Sequence, residues 1–482
     1  MHLDKLSATD RAFLDIEGDA LQMHIGAVMT LEGGSLRRPD GGVDLPRLCA
    51  ILADGLSRLP RFSQRVREVP GLGAVWVDDA TFRLERHVMH TALPRPGDDA
   101  ALRRLAGRVL SHPLDRNHPL WELWLVEGLE GGRFALIFKA HHAMVDGIAG
   151  VEVLAALLRV EPEERVAEVT SRPPSPEPSR LAVASGLVGD SGRAIADTLR
   201  GARAALEHPL DALRSAKDLA HGVYDTLKTG LRPASATSLN PSELSRHRSF
   251  GGLRVPLAAV RACARALGGT VNDVVLSAVA GALRSFLMRA GDDIDALTDF
   301  RALVPVNLRG RDSGHAGATL GNHISLVLMP MPVALGDARA RFEAVHRATQ
   351  RVKGASHEVE GAALVERIGD LGGPNVVTAV FRTAAHLRAF NVVVTNVPGP
   401  QFPLYLGTCR MHSIFGSVPL FAHQGVGITA LSYDGGVFFG VQSDGEVMPA
   451  VEPFLDDLRV AVRDLAREAG CADTLDETTP GL

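Results

Sequence analysis

Residues 133–158 constrain the fold more than any other stretch of the chain. Arg133 to Ala140 (RFALIFKA) alternates in size and polarity. Phe134, Leu136, Phe138 and Ala140 fall on one face of a strand, and Lys139 and His141 on the other. If the strand runs on to its end, His142 joins the apolar face. After Gly147, residues Ile148, Val151, Leu154, Ala155 and Leu158 recur at helical spacing. The order is strand, tight polar turn, helix.

The turn between them is His141-His142-Ala143-Met144-Val145-Asp146-Gly147. An imidazole titrates near ~6.5 and can accept a proton at neutral pH. At the end of an apolar strand it is partly desolvated, which favours its neutral, basic form. Such a group can take the proton of a hydroxyl that attacks a carbonyl. Asp146 can cap the following helix or pair with a cation, and Gly147 can take a positive φ. Two other readings stay open for these residues: a solvated turn, and a metal-binding histidine pair. The second lacks a further Cys, His or carboxylate at a familiar ligand spacing nearby.

HHAMVDG resembles the HHxxxDG signature of the acyl-CoA-dependent acyltransferase superfamily, which includes condensation domains of peptide synthetases. Pro119-Leu120-Trp121-Glu122 is similar to the PLW motif of one branch, and Val271-Asn272-Asp273-Val274-Val275-Leu276 to its ND motif. Pro305-Val306-Asn307-Leu308-Arg309, Leu320-Gly321-Asn322, Asn396-Val397-Pro398-Gly399-Pro400 and Leu431-Ser432-Tyr433-Asp434-Gly435 fit the same branch. That branch is the bacterial wax ester synthase/diacylglycerol acyltransferase family, and the resemblance runs from Leu6 to Arg467. It departs at Leu239-Asn240-Pro241-Ser242, where the family carries an Asn-Gly-Pro-Ile-Gly segment.

The resemblance implies an α/β (α+β) fold. Two chloramphenicol-acetyltransferase-like domains would be joined by a crossover, with an active-site tunnel between them. It implies long-chain acyl transfer from acyl-CoA, a substrate and not a cofactor, to diacylglycerol, a long-chain alcohol, or both. His142 would be the general base, His141 a flanking residue that shapes the site, and Asn272 the donor to the oxyanion. Asn272 can also serve as an N-cap. Asp146 would pair with Arg309 and be structural, beside Gly147. His24 reads as a core histidine with a tunnel-lining role open. Trp121 and Trp124 read as core, with substrate contact as the alternative. No G-x-S-x-G nucleophile site is present, so no covalent acyl-enzyme is required. Rival readings are a condensation-type enzyme fed by a carrier protein, and a non-catalytic lipid-binding or droplet-coating protein. His141 and Asp146 also have the H-x4-D spacing of membrane glycerolipid acyltransferases, whose other motifs are missing.

The chain of 482 residues, 46% hydrophobic, is too long for one ordinary core. We expect an N-terminal domain over 1–165, a linker and helical crossover over 166–245, and a C-terminal domain over 246–482. The Pro- and Ser-rich segment from Glu161 to Arg180 marks the linker. A net charge of −5 gives no basic face for nucleic acid. The four cysteines are far apart without CxxC, and read as small core residues in a reducing compartment. The N-terminus lacks an apolar signal core. The most apolar run, Ile324 to Leu335, is short and holds Pro330 and Pro332. The expected location is cytoplasmic, peripheral to membrane or lipid droplets. The expected docking element is Arg193 to Arg232, with Leu199, Leu206 and Leu213 in a stripe and seven cations against five acidic residues. That excess is small, so leucine insertion would have to carry the binding.

Overall fold

The computed structural model describes residues 4–69, 73–144, 149–164, 232–307, 324–354 and 388–475. The first half runs β1 (Asp4–Lys5), α1 (Ala8–Ile16), β2 (His24–Leu31), α2 (Leu45–Leu56), β3 (Gln64–Val69), β4 (Gly73–Asp78), β5 (Val88–Ala92), α3 (Asp99–Ser111), β6 (Trp121–Glu127), β7 (Phe134–His141) and α4 (Ala149–Leu157). The second half runs β8 (Arg248–Pro256), α5 (Leu257–Ala266), α6 (Val271–Ala290), β9 (Arg301–Asn307), β10 (Ile324–Pro330) and α7 (Ala338–Gly354). It continues with β11 (Val392–Pro398), β12 (Tyr405–Leu406), β13 (Cys409–Ser417), β14 (Val426–Tyr433), β15 (Gly436–Asp444) and α8 (Glu452–Glu468).

Two six-stranded sheets carry the fold, in the orders β12-β13-β2-β7-β6-β5 and β10-β9-β11-β14-β15-β8; β1, β4 and β3 form a third, smaller sheet. The first large sheet draws on both halves of the chain. β13 comes from the second half and pairs antiparallel with β2, placing Ser417 opposite Gly26 and Ile414 opposite Met29. The core on that sheet likewise takes in Phe415, Tyr433 and Phe438 beside Phe134, Leu136 and Trp121. A second core lies between the other sheet and helices α5 to α8.

Small residues allow the layers to meet. A Cβ on Gly440 would lie 2.0 Å from the Gly416 carbonyl oxygen, and the Thr429 hydroxyl already donates to that oxygen at 2.9 Å. A Cβ on Gly107 in α3 would lie 2.6 Å from the Arg248 carbonyl of β8. Larger side chains at either place would force the layers apart.

Several recognised motifs are scaffold. Asp434 and Gly435 both have positive φ, 40° and 75°. This is the two-residue turn whose twist suits a hairpin, here β14–β15. Asn396-Val397-Pro398 lies in β11 beside β14, and the Gly399 N–H donates to the Ser432 hydroxyl at 3.2 Å. Thr270 and Asp273 form a reciprocal capping box at the start of α6.

Both faces of β7 are covered, so all eight of its residues are buried, Lys139 included. The expected polar face is therefore a second core face. α6 is predominantly apolar and mostly buried. It is long and apolar enough to cross a bilayer, yet 72% of its most apolar window is buried inside the protein. Among the described residues it is the core helix of the second half, packed by α7 and α8. The segment 320–322 and the leucine stripe lie outside the described residues.

Candidate active site

β7 ends at His141, not at His142. The Met144 N–H donates to the His141 carbonyl at 2.9 Å, which starts a turn there. His142 therefore leaves the sheet instead of joining its apolar face. Its backbone N–H donates to the Met23 carbonyl at 2.7 Å, tying the turn to the residue before β2. Its ring lies against Phe13 of α1, with centroids 4.3 Å apart at 34°. His142 is only part-buried, whereas His141 is 1% exposed.

His24 and His141 face each other across β2 and β7. The Ala143 N–H donates to His141 Nδ1 at 3.0 Å. That makes Nδ1 the acceptor and assigns the ring proton of the neutral form to Nε2. Nε2 is directed toward Glu17, 3.6 Å away, and His24 Nε2 lies 3.1 Å from the same carboxylate. Glu17 is the residue that ends α1, four after Phe13, so one helix supplies both the ring beside His142 and the carboxylate beside His141. The Arg116 Nε donates to Glu17 at 3.1 Å, and the Met23 N–H at 3.3 Å.

The electrostatics follow from burial. Burial opposes the charged form of Glu17, but the His141 and His24 rings beside it outweigh this and hold its carboxyl well below the usual carboxylate range. Burial pushes His24 down to about 4 in spite of Glu17, so it is neutral at pH 7. Lys139 adds to this effect from the same sheet. Its ammonium donates to the Val109 and His112 carbonyls at 3.1 and 2.9 Å and lies 3.2 Å from Glu122. Those carbonyls end α3, where a cation suits the helix dipole. Burial lowers the Lys139 pKa.

The sequence-derived candidates separate into three groups. His24, His141 and His142 come together. Trp121 does not reach a substrate surface: it is 2% exposed, stacked on His87 with centroids 4.7 Å apart, and its Nε1 donates to the Phe62 carbonyl at 2.8 Å. Its substrate-contact reading is corrected to core packing. His24 is 4% exposed and turned to Glu17, as a core histidine would be. Asn272 is the second residue of α6, not its N-cap, which is Thr270. Asn396 Nδ2 donates to Asn272 Oδ1 at 3.1 Å, so the Asn272 amide nitrogen is the atom left to donate elsewhere. Asp273 is fully buried, capped by Thr270 and 2.9 Å from His346 Nδ1. Asp146, Gly147 and Arg309 lie outside the described residues. Glu17 was missed by sequence reasoning; its signal is the Phe13/Glu17 spacing on a capped helix just before a histidine strand. No group of three or more His, Cys, Asp or Glu able to hold a metal occurs among the described residues.

Comparison with known proteins adds to this geometry. The model for the wax ester synthase/diacylglycerol acyltransferase catalytic domain matches residues 6–275, and the WS/DGAT C-terminal domain matches residues 320–466. A probable diacylglycerol O-acyltransferase of Mycobacterium tuberculosis strain H37Rv is 32% identical over 451 residues, covering 92% of each chain. The structure of a wax ester synthase/diacylglycerol acyltransferase from Marinobacter aquaeolei VT8 covers 97% of this chain and 100% of its own, with a TM-score of 0.66 and 26% identity. A condensation domain of the calcium-dependent antibiotic synthetase shares the fold at a TM-score of 0.59 and 16% identity, covering 99% of this chain and 98% of its own.

Proposed function

The chain belongs to the wax ester synthase/diacylglycerol acyltransferase family, and from that membership we propose that it moves a long-chain acyl group from acyl-CoA to diacylglycerol or a long-chain alcohol, with His142 as general base. One observation carries the choice of His142 over His141. His141 is buried, its Nδ1 is engaged by the Ala143 N–H and its Nε2 faces Glu17, while His142 is part-buried in the turn beyond the sheet.

In this reading His142 takes the proton of the acceptor hydroxyl as its oxygen attacks the thioester carbonyl. The tetrahedral intermediate collapses, the C–S bond breaks, and the coenzyme A thiolate recovers the proton from the imidazolium. The products are an ester and free coenzyme A. The Asn272 amide nitrogen, oriented by Asn396, donates to the developing oxyanion. The neutral His24 and the ionised Glu17 fix His141, and His141 fixes the turn that holds His142.

The proposed substrates dissolve in lipid, so in this reading the enzyme works at a membrane or droplet surface from the cytoplasm, with the segment from Arg193 to Arg232 as its docking element. The test is thiol release from palmitoyl-CoA with and without diolein or hexadecanol. Acceptor-dependent release with ester formation supports the proposal. Release that ignores both acceptors, or none at all, refutes it.

A further inference from the structure

Cys263 and Cys471 are separated by 208 positions in the chain, yet their sulfur atoms lie 3.2 Å apart. We propose that these two thiols are the site of an intramolecular disulfide that staples the end of α8 to α5. A disulfide bond is ~2.05 Å long, so closure requires about 1 Å of movement. The placement is imposed by backbone structure on both sides. The Leu267 N–H donates to the Cys263 carbonyl at 2.9 Å in the last turn of α5. The Cys471 N–H donates to the Ala466 carbonyl at 2.8 Å, just past Gly470, whose φ of +64° ends α8. Cys263 is 1% exposed within the second core, and Cys471 is half-buried at its rim.

The other two cysteines provide internal controls. Cys409 is buried with its thiol 3.1 Å from the Gly33 carbonyl, and Cys49 lies in α2. The oxidant is a low-molecular-weight disulfide. The Cys471 thiolate attacks it, forming a mixed disulfide and releasing one small thiol. The Cys263 sulfur then attacks the Cys471 sulfur and expels the second. Two protein thiols are oxidised and one small disulfide is reduced to two thiols. Burial and the neighbouring sulfur push the Cys263 thiol up to about 12. The more accessible Cys471 therefore reacts first, and the closing step is slow. The cross-link pins the C-terminal end of α8 to the helix that leads through Gly268-Gly269-Thr270 into α6.

The full-length native protein is incubated with oxidised glutathione at pH 8, denatured, and its free thiols counted. The expected count falls from four to two. Peptide mapping then finds Cys263 joined to Cys471, and the melting temperature rises by on the order of 5 °C. Cys471→Ser, at the rim, is the folded control in which neither the cross-link nor the rise occurs. A count that stays at four, a glutathione adduct that persists on Cys471, or a link through Cys49, Cys409 or a second chain overturns the proposal.

Discussion

His24 makes the stability of the protein pH-dependent in a calculable way. Its pKa is about 4 in the folded protein against 6.5 in an unfolded chain. The folded-state value is depressed, so the stabilisation is complete above pH 6.5 and is lost as pH falls through about 4. The whole shift corresponds to about 3 kcal/mol, of which about 2 kcal/mol is gone by pH 5. Glu17 contributes little between pH 7.5 and pH 5, because an unfolded glutamate takes up its proton mainly below pH 5; its own loss of stability begins there. The perturbation is His24→Asn, which removes the titration and keeps a short side chain able to donate to Glu17. Urea unfolding of both proteins at pH 7.5 and pH 5 isolates the term, since the other histidines cancel in the comparison. Wild type should lose about 2 kcal/mol more than the variant on going to pH 5. Equal losses would show that His24 is not held neutral by burial.

Other expectations follow from single contacts. Glu17→Gln removes the charge shared by His24, His141 and Arg116, and should lower kcat roughly 10-fold or more through misplacement of the turn, with a small change in KM for acyl-CoA; unchanged turnover would detach Glu17 from the site. Gly440→Ala puts a methyl group against the Gly416 carbonyl and should cost about 1–3 kcal/mol in urea unfolding; wild-type stability would mean that the sheets can move apart freely. Asp146→Asn, which by the family resemblance would break a pair with Arg309, should lower the melting temperature together with activity, a broken buried pair costing about 3–5 kcal/mol. Loss of activity at an unchanged melting temperature would assign Asp146 to the chemistry itself.

What the sequence disclosed was what short-range periodicity records. The apolar alternation of β7 and the turn that follows it are local, and the structure ends the strand at His141, within a residue of the expected place. The histidine pair was visible because its residues are adjacent. Lys139 was misread because a lysine in an alternating strand ordinarily marks a wet face; here the α3 carbonyls and Glu122 satisfy its ammonium inside the protein. β13 and the Cys263/Cys471 pair were invisible for another reason. Their partners lie hundreds of residues away: β13 reaches β2 by crossing to the other sheet, and Cys263 meets Cys471 where α5 and the end of α8 pack in one core. Glu17 combines both difficulties, since it reads locally as a helix end and becomes functional only across α1, β2 and β7.

The central claim is that His142, not its buried neighbour, removes the acceptor proton. It is tested most directly by steady-state thiol release from palmitoyl-CoA in the presence of diolein, comparing His142→Ala with His141→Ala at matched, verified folding. The account predicts a loss of about 10²–10⁴-fold for His142→Ala and a smaller loss for His141→Ala, which acts through the turn. If His142→Ala retains turnover within a few-fold of wild type, or if the order of the two variants is reversed, the assignment is contradicted.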